Sequence, residues 1–415
     1  MEQWVDMRSV QRAVTVLLLI LGLSVCGNAR VTPPTNTHAS SATTSPLSSW
    51  SITPTPMLSS TASNFLDAVF CLSATVCTAV GNDGGGTLVE TWNGSAWVIV
   101  PSPNPTGTPG WESAPLFNSL YCLSTSACLA VGSLDNEPTP DRFEGTPQPS
   151  QTFAEIWDGS DWSIAPTTTD ESGGLNSVYC VSASDCIAVG GGFGTGGIGG
   201  PGGQPLVESW NGSAWTIGTD PETAVGGLNS VYCVSASVCV AVGGTEQNPT
   251  TLPTYRTLTE EWDGSSWTVV ASPTPKTDPD GAELNSVYCT SESSCTAVGG
   301  VAPGEIGEPG DPLVEHWNGS SWSIIPSPSR SPGPHGGTLN SISCVSATAC
   351  TAVGATPFDG GPLVEHWNGS SWSIVPAPSP GPDNGGLISV SCSSASACTA
   401  VGYGGPSGPL VESTR

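Results

Sequence analysis

The chain contains 415 residues, only 10% of them charged, and carries a formal net charge of −27 at pH 7. An excess of acids on this scale argues against nucleic acid as a partner, because phosphate binding needs clustered lysines and arginines. The 52 glycines and 38 prolines favour short strands joined by turns, so the composition predicts an all-β protein.

Residues 1–25 are predicted to be a signal peptide. Basic residues precede an apolar run over residues 13–25, which is short for a membrane span and typical of a signal-peptide core. The next residue, Cys26, ends the sequence Leu-Ser-Val-Cys, which resembles the lipobox of bacterial lipoproteins. That resemblance implies a lipid on Cys26 as membrane anchor. Cleavage after Ala29, which would free the protein, and an uncleaved anchor are the alternatives.

Residues 26–47 consist largely of Ser, Thr and Pro, with little to bury, and are predicted to form an extended stalk. Residues 48–415 are predicted to form one repetitive domain. The protein is expected to be a monomer.

The cysteines mark seven repeats. Fourteen of the 15 form pairs with five residues between them, and the first cysteines of successive pairs lie 48 to 58 residues apart, a period typical of propeller blades. Zinc sites usually combine CxxC spacings with histidines, which these pairs lack, so the spacing favours disulfides and an oxidising compartment. The predicted disulfides are Cys71–Cys77, Cys122–Cys128, Cys180–Cys186, Cys233–Cys239, Cys289–Cys295, Cys344–Cys350 and Cys392–Cys398.

Each repeat is predicted to contain four strands. In residues 175–216 these are LNSVYC, CIAVGG, PLVESW and SAWT, each bounded by turn residues. The third and fourth strands meet at Asn-Gly, the strongest short hairpin signal, and Cys180 and Cys186 are expected to face each other across the first hairpin.

The two ends of the chain complete one repeat between them. The last repeat stops after Pro-Leu-Val-Glu-Ser, whereas residues 48–54 read SSWSITP, the fourth strand of other repeats. These residues are therefore predicted to close a seven-bladed β-propeller of four-stranded blades by completing the last blade, which removes exposed end blades.

The repeat resembles the kelch motif of kelch and galactose-oxidase-type β-propellers. Paired glycines end the second strand, as in Gly190-Gly191, and the aromatic residues Trp210 and Trp215 flank the following turn. The Asn-Gly turn is also similar to the Asp-box of sialidase-like propellers. The resemblance implies the propeller fold and says little about function.

Ligand binding is predicted on the face that carries the links between second and third strands and between blades, because these links vary in length while the others do not. Aromatic residues outside the repeat template fall in these links, and two of them adjoin arginines. Such rims suit stacking on sugars or contact with a protein, although local packing is the alternative. The residues are Trp111, Phe143, Phe193, Tyr255, Phe358 and Tyr403, with Arg142 and Arg256.

Acidic residues suggest one candidate metal site. Asp278, Asp280 and Glu283 could bind Ca²⁺, but they lack the full EF-hand spacing, and a solvated loop is the alternative. A glutamate repeats once in each blade and is interpreted as structural. No cofactor other than this calcium is predicted.

The histidines support neither a Ser-His-Asp set nor a metal triad, so no catalytic residue is assigned. The sequence therefore predicts a non-catalytic binding scaffold at the cell surface, lipid-anchored or secreted, that recognises a glycan or a protein. The alternatives are an extracellular polysaccharide hydrolase or lyase that uses loop carboxylates, and a structural wall protein.

Overall fold

The computed structural model describes 14 segments of the chain, with side chains throughout except at residues 111–114 and 135–138. The segments are residues 49–56, 64–105, 111–138, 151–167, 173–191, 203–222, 225–246, 255–275, 281–301, 310–328, 336–356, 361–381, 385–404 and 408–414. The predicted signal peptide and the whole of the predicted stalk, including Cys26, lie outside them.

The fold is an all-β propeller of seven four-stranded antiparallel sheets, as predicted. The fourth strand of blade 7 is β1 (Ser51–Ile52), from the N-terminal part of the chain. The fourth strands of blades 1 to 6 are β5 (Trp97–Ile99), β9 (Trp162–Ala165), β13 (Trp215–Ile217), β17 (Trp267–Val270), β21 (Trp322–Ile324) and β25 (Trp372–Ile374). The first strands of blades 1 to 7 are β2 (Phe65–Ser73), β6 (Trp111–Ser124), β10 (Gly174–Ser182), β14 (Gly226–Ser235), β18 (Ala282–Ser291), β22 (Thr338–Ser346) and β26 (Gly386–Ser394).

The two middle strands of each sheet carry most of the core. The second strands are β3 (Val76–Asn82), β7 (Ala127–Pro138), β11 (Asp185–Gly191), β15 (Val238–Glu246), β19 (Ser294–Val301), β23 (Ala349–Ala355) and β27 (Ala397–Tyr403). The third strands are β4 (Thr87–Trp92), β8 (Gln151–Trp157), β12 (Pro205–Trp210), β16 (Tyr255–Trp262), β20 (Asp311–Trp317), β24 (Pro362–Trp367) and β28 (Pro409–Ser413).

First strands of neighbouring blades pack against one another around the ring, which makes them the innermost strands. Each hydrophobic cluster combines side chains from two adjacent blades, such as Val189 of blade 3 with Leu228 of blade 4. A blade therefore buries its faces only against its neighbours, which is why the repeats must stack.

The Asn of the LNS motif is the bulged residue of the first hairpin. In blade 3, Leu175 and Ser177 pair with consecutive residues of β11, which leaves Asn176 out of register. A bulge redirects a side chain, and here the amide of Asn176 donates to the carbonyl of Leu228 in the next blade, at 3.0 Å. Matching bonds join Asn118 to Leu175, Asn229 to Leu284, Asn285 to Leu339 and Asn340 to Leu387.

The serine that follows forms a second bond between blades. The hydroxyl of Ser177 accepts from the backbone N–H of Val231 at 3.1 Å, and the same bond recurs at five other blade junctions. Blade 1 departs from this scheme because Asp67 and Ala68 stand at the two positions. Blade 7 keeps the serine, Ser389, but has Ile388 in place of the asparagine.

A glycine in the second strand is required by the close approach of the first. A Cβ added to Gly243 would lie 2.0 Å from the carbonyl oxygen of Gly227, and Gly190 and Gly299 are equally crowded. The first glycine of the kelch-like pair thus has a steric origin, because no other residue lacks the Cβ.

The turn between third and fourth strands is tight, but its centre is Gly-Ser rather than Asn-Gly. In blade 3, Trp210 pairs with Trp215, and the backbone N–H of Asn211 donates to the carbonyl of Ala214 at 3.2 Å. Gly212 takes the positive φ of 92°, while the side-chain oxygen of Asn211 accepts from the N–H groups of Ser213 and Ala214. The asparagine therefore caps the turn, as short polar side chains commonly do.

All seven predicted disulfides are present, and each joins residues directly opposite in the first hairpin, with Cα atoms 3.9 to 4.0 Å apart. Disulfides persist in oxidising compartments. They therefore indicate an extracytoplasmic location.

The predicted ring closure is also present. Strand β1 pairs with β28, with Ser51 opposite Ser413 and Ile52 opposite Glu412. The N–H of Thr53 donates to the carbonyl of Val411 at 2.8 Å. Trp50 is 8% exposed and belongs to the hydrophobic cluster between blades 6 and 7. The N-terminal strand therefore joins the last sheet by both hydrogen bonds and packing.

Candidate functional site

The propeller has two faces of different character. We call "turn face" the one that carries the first-to-second and third-to-fourth strand turns, such as residues 182–185 and 211–214. We call "loop face" the opposite one, which carries the second-to-third strand links and the links between blades. The turn face repeats from blade to blade, whereas the loop face varies.

The glutamate that recurs in each third strand is buried, with at most 1% of its surface exposed. The seven residues are Glu90, Glu155, Glu208, Glu260, Glu315, Glu365 and Glu412. Buried in this way, they do not form an accessible ring of carboxylates. This supports their interpretation as structural.

Several of these glutamates accept a hydrogen bond from the link that leaves the preceding blade. The donors are the hydroxyls of Ser272, which lies 2.7 Å from Glu315, and Ser327, which lies 2.6 Å from Glu365. Ser102 makes the same bond to Glu155. Each serine lies five residues after the fourth-strand Trp of its blade. The position of this serine can be read from the sequence. The repeat pattern alone does not show that the serine bonds to the glutamate of the next blade.

Burial raises the pKa values of these carboxyl groups. It raises the pKa of Glu90 and of Glu412 to about 8. For Glu315 and Glu365 the pKa reaches only about 7, because the serine hydroxyl opposes the effect of burial. Both carboxyl oxygens of Glu412 lack a hydrogen-bond partner among the described residues, and Ala377 stands where the donating serine would be.

In the link from blade 3 to blade 4, an acid replaces the serine. Asp220 occupies the position, and burial followed by the charge of Asp220 raises the pKa of Glu260 to about 8. Glu260 therefore holds a proton next to Asp220 near neutral pH. Two carboxyl groups with unequal proton affinity are the usual requirement for general acid and base chemistry. Here, however, Glu260 is fully buried.

The described residues include three of the eight predicted loop-face residues with their side chains. Tyr255 and Arg256 begin β16, and Tyr403 ends β27, so all three lie at strand ends rather than within the links. Trp111 likewise begins β6, but its side chain is not described. Phe143, Arg142, Phe193 and Phe358 lie outside the described residues, as do Asp278 and Asp280 of the predicted calcium site.

Trp111 starts a hairpin that extends beyond the other blades on the loop face. Strands β6 and β7 have 14 and 12 residues, and their pairing continues from Phe117 out to Trp111 opposite Pro138. At about 3.3 Å per residue, residues 111–117 span roughly 20 Å, whereas the other first strands begin only one or two residues before the position of Phe117. It is a larger projection than the sequence predicted, because residues 133–138 were interpreted as part of a link.

Tyr403 packs within its own blade. Its hydroxyl oxygen lies 2.7 Å from where a Cβ of Gly386 would be, and its ring occupies the space that this glycine leaves. Arg256, in contrast, is exposed. The local-packing alternative therefore describes Tyr403, while Tyr255 and Arg256 lie at the surface that the sequence assigned to a ligand.

Tyr255 and Glu283 line one cavity, although the sequence assigned them to different sites. The cavity holds about 190 Å³ and is also lined by Asn285, Thr338 and Gly310. It lies at the loop face where blades 4, 5 and 6 meet. The backbone of Tyr255 bridges to Gly281, two residues before Glu283, which brings the two side chains to the same place.

Burial raises the pKa values of both Tyr255 and Glu283. Burial, followed by the charges of Glu283 and Glu246, raises the pKa of Tyr255. Burial also raises the pKa of Glu283, and a hydrogen bond with Asn229 partly opposes it. A half-buried carboxyl beside an aromatic ring can accept from hydroxyl or ammonium donors while the ring covers an apolar surface.

A second cavity, of about 300 Å³, lies on the turn face between blades 2 and 3. It is more apolar, and its lining includes Tyr121, Leu123, Ile156, Trp157 and Trp210. Leu123 is 38% exposed. No site was predicted on this face, because its turns are the same from blade to blade.

No group of three His, Cys, Asp or Glu side chains suited to a metal ion occurs among the residues with described side chains. Within the same residues, no helix is long and apolar enough to cross a membrane.

No protein-family model matches the chain, and no curated protein matches it in sequence. The chain is thus a disulfide-containing seven-bladed propeller with no family assignment, and the kelch resemblance extends to the fold alone. Solved structures share that fold. YCF48 bound to D1 peptide is 12% identical, with a TM-score of 0.52 over 88% of this chain and 96% of that one.

Two further structures give similar values. YCF48 from Cyanidioschyzon merolae is 12% identical, with a TM-score of 0.51 over 88% of this chain and 98% of its own. An ulvan lyase of polysaccharide lyase family PL25, bound to a GlcA–Rha3S saccharide, is 8% identical, with a TM-score of 0.52 over 84% of this chain and 94% of its own. At these identities the likeness concerns the fold.

Proposed function

We propose that the protein is a non-catalytic binding scaffold at the cell surface, which recognises a protein or a glycan through its loop face. The Tyr255–Glu283 cavity is the observation that carries this proposal. It combines an aromatic ring, a carboxyl group and the hydroxyl of Thr338 in a space of about 190 Å³. That volume suits one amino-acid side chain or one sugar residue rather than a whole small-molecule ligand.

A basic side chain of a partner protein is the occupant that the charges favour. The chain has a net charge of −27, which attracts cationic segments, and Glu283 with Glu246 concentrates negative charge around Tyr255. A lysine or arginine could pair with Glu283 and rest on the ring of Tyr255. A protein ligand also agrees with the YCF48 structure, which is bound to D1 peptide.

The remaining predictions of location belong to the same proposal. A signal peptide over residues 1–25, a lipid on Cys26 and a stalk over residues 26–47 would place the propeller outside the membrane. The seven disulfides support the oxidising compartment that this placement requires.

A basic-peptide array and a glycan array, each probed with the full chain with and without calcium, test the proposal. Tyr255→Ala and Glu283→Gln are expected to weaken binding of a retained peptide at least tenfold while the melting temperature stays unchanged. Asp161→Asn, the same loss of charge at an exposed site on the turn face, is the matched control and should bind normally. Normal binding by both cavity variants would refute the assigned site.

An enzyme acting on polysaccharide is the second candidate, and the PL25 lyase shares the fold. It predicts product formation from sulfated or uronic-acid polysaccharides, lost on removing loop carboxylates. Turnover of any substrate in such a screen would exclude a purely non-catalytic scaffold.

A further inference from the structure

An arc of five aromatic rings lines the inner strands of blades 1 to 5. Each ring belongs to the residue just before the first cysteine of its blade: Phe70, Tyr121, Tyr179, Tyr232 and Tyr288. Successive ring centroids lie 4.4 to 4.7 Å apart. Three of the four interplanar angles, 43° to 50°, are close to the rotation of about 51° between blades of a sevenfold ring.

Each ring packs against the hydrophobic cluster that includes the first-strand cysteine of the following blade. Tyr179 contacts the cluster that contains Cys233, and Tyr288 contacts the cluster that contains Cys344. The same holds for Phe70 with Cys122, Tyr121 with Cys180 and Tyr232 with Cys289. Each of these five cysteines is only 3% exposed.

The arc is incomplete in blades 6 and 7, where Ser343 and Ser391 replace the ring. Their hydroxyls instead accept from the backbone N–H of Cys392, at 3.1 Å, and of Cys71, at 2.9 Å. A hydroxymethyl group covers far less surface than a phenol. Correspondingly, Cys71 is 9% exposed, and Cys392 is the one first-strand cysteine of the seven disulfides that is not buried.

We propose that Cys392–Cys398, and after it Cys71–Cys77, are sites of thiol–disulfide exchange with an external dithiol, while the other five disulfides are structural. Cys392–Cys398 belongs to blade 7, within which the ring closes, and Cys71–Cys77 belongs to the neighbouring blade 1. Exchange at Cys392–Cys398 would loosen the hairpin of β26 and β27, and β27 is the strand that holds β28 and, through it, β1.

The reaction begins at Cys392, the more exposed cysteine of the pair. A thiolate of the dithiol attacks Sγ of Cys392, the S–S bond breaks, and Cys398 leaves as a thiolate, which takes up a proton from water. In the mixed disulfide, one sulfur of the reagent is bonded to Cys392. The second thiol of the reagent attacks that reagent sulfur, and Cys392 is released as a thiolate that takes up a proton. The dithiol is oxidised to a disulfide, and the protein gains two electrons and two protons. Access to the attacked sulfur controls the rate of such exchange.

Timed reduction of the full chain by dithiothreitol tests this proposal. Free thiols are trapped with N-ethylmaleimide, and each pair is quantified by mass spectrometry after peptic digestion. Cys392 and Cys398 are expected to label first, Cys71 and Cys77 second, and the other pairs at least tenfold more slowly than the first. Equal rates for all seven pairs, or a first labelling elsewhere, would overturn it.

Two reciprocal variants separate shielding from general instability. Ser343→Tyr is expected to slow labelling of Cys392 at least fivefold without changing the rate at Cys71, and Tyr288→Ser to speed labelling of Cys344 by a similar factor. Melting followed by circular dichroism identifies a variant that fails to fold. If Tyr288→Ser unfolds, the order of labelling in the unmodified protein and the Ser343→Tyr result still decide the matter. Unchanged labelling of Cys392 in folded Ser343→Tyr would disprove shielding.

Discussion

Trp50 holds the ring closed, so Trp50→Ala should destabilise the protein strongly. The side chain is 8% exposed and packs in the cluster between blades 6 and 7. Truncating a buried Trp to Ala typically costs about 3 to 5 kcal/mol. The unfolding entropy of a ring of this size converts that cost into a fall in melting temperature of about 4 to 6 °C.

Differential scanning calorimetry of the full chain measures this effect. Deleting residues 48–54 should lower the melting temperature further, because it also removes the hydrogen bonds from Ser51 and Thr53 to β28. Deleting residues 31–47 is the control and is expected to change melting by less than about 1 °C. If the 48–54 deletion melts like the control, β1 does not carry the closure and the reasoning is wrong.

Three further outcomes are expected. Ala377→Ser supplies the missing donor to Glu412 and should raise the free energy of unfolding by about 1 kcal/mol in urea titrations. Because the pKa of Glu90 is raised in the folded protein, the contribution of this residue to stability is greatest below pH 4.5. That contribution is lost as pH rises to about 8, by up to about 1.4 kcal/mol per pH unit, and Glu90→Gln should reduce this slope in melting curves. Gly243→Ala should cost about 3 kcal/mol or more, whereas Gly218→Ala, with no contact closer than 3.5 Å, should be tolerated.

The fold could be predicted from the sequence because the same pattern of cysteines and strand segments occurs in seven repeats. The cysteine spacing, the Asn-Gly turns and the split last repeat all report local geometry, and local geometry decides how many strands a blade has. Strand ends were predicted less well: residues 133–138 continue β7, since pairing with the long β6 satisfies backbone groups that a link would leave to water.

The arrangement of side chains between blades could not be derived in the same way. Tyr255 and Glu283 are 28 residues apart and lie in different blades, so only the curvature of the ring brings them to one cavity. The same applies to Ser272 and Glu315, which meet across a blade junction. A signal was present, since the link serine recurs in three links and the aromatic before the first cysteine recurs in five blades. Recurrence alone, however, does not tell which neighbour a side chain faces.

The departures of blade 1 from the LNS motif have a kinetic consequence. Asp67 and Ala68 cannot make the asparagine and serine bonds that join most blades, and Ile388 removes the asparagine bond from blade 7 to blade 1. Local opening starts where the fewest interactions must break. Hydrogen exchange should therefore be fastest in the inner strand β2 among the seven first strands, and blade 1 should be the last to dock during folding, after the other six have formed an open arc.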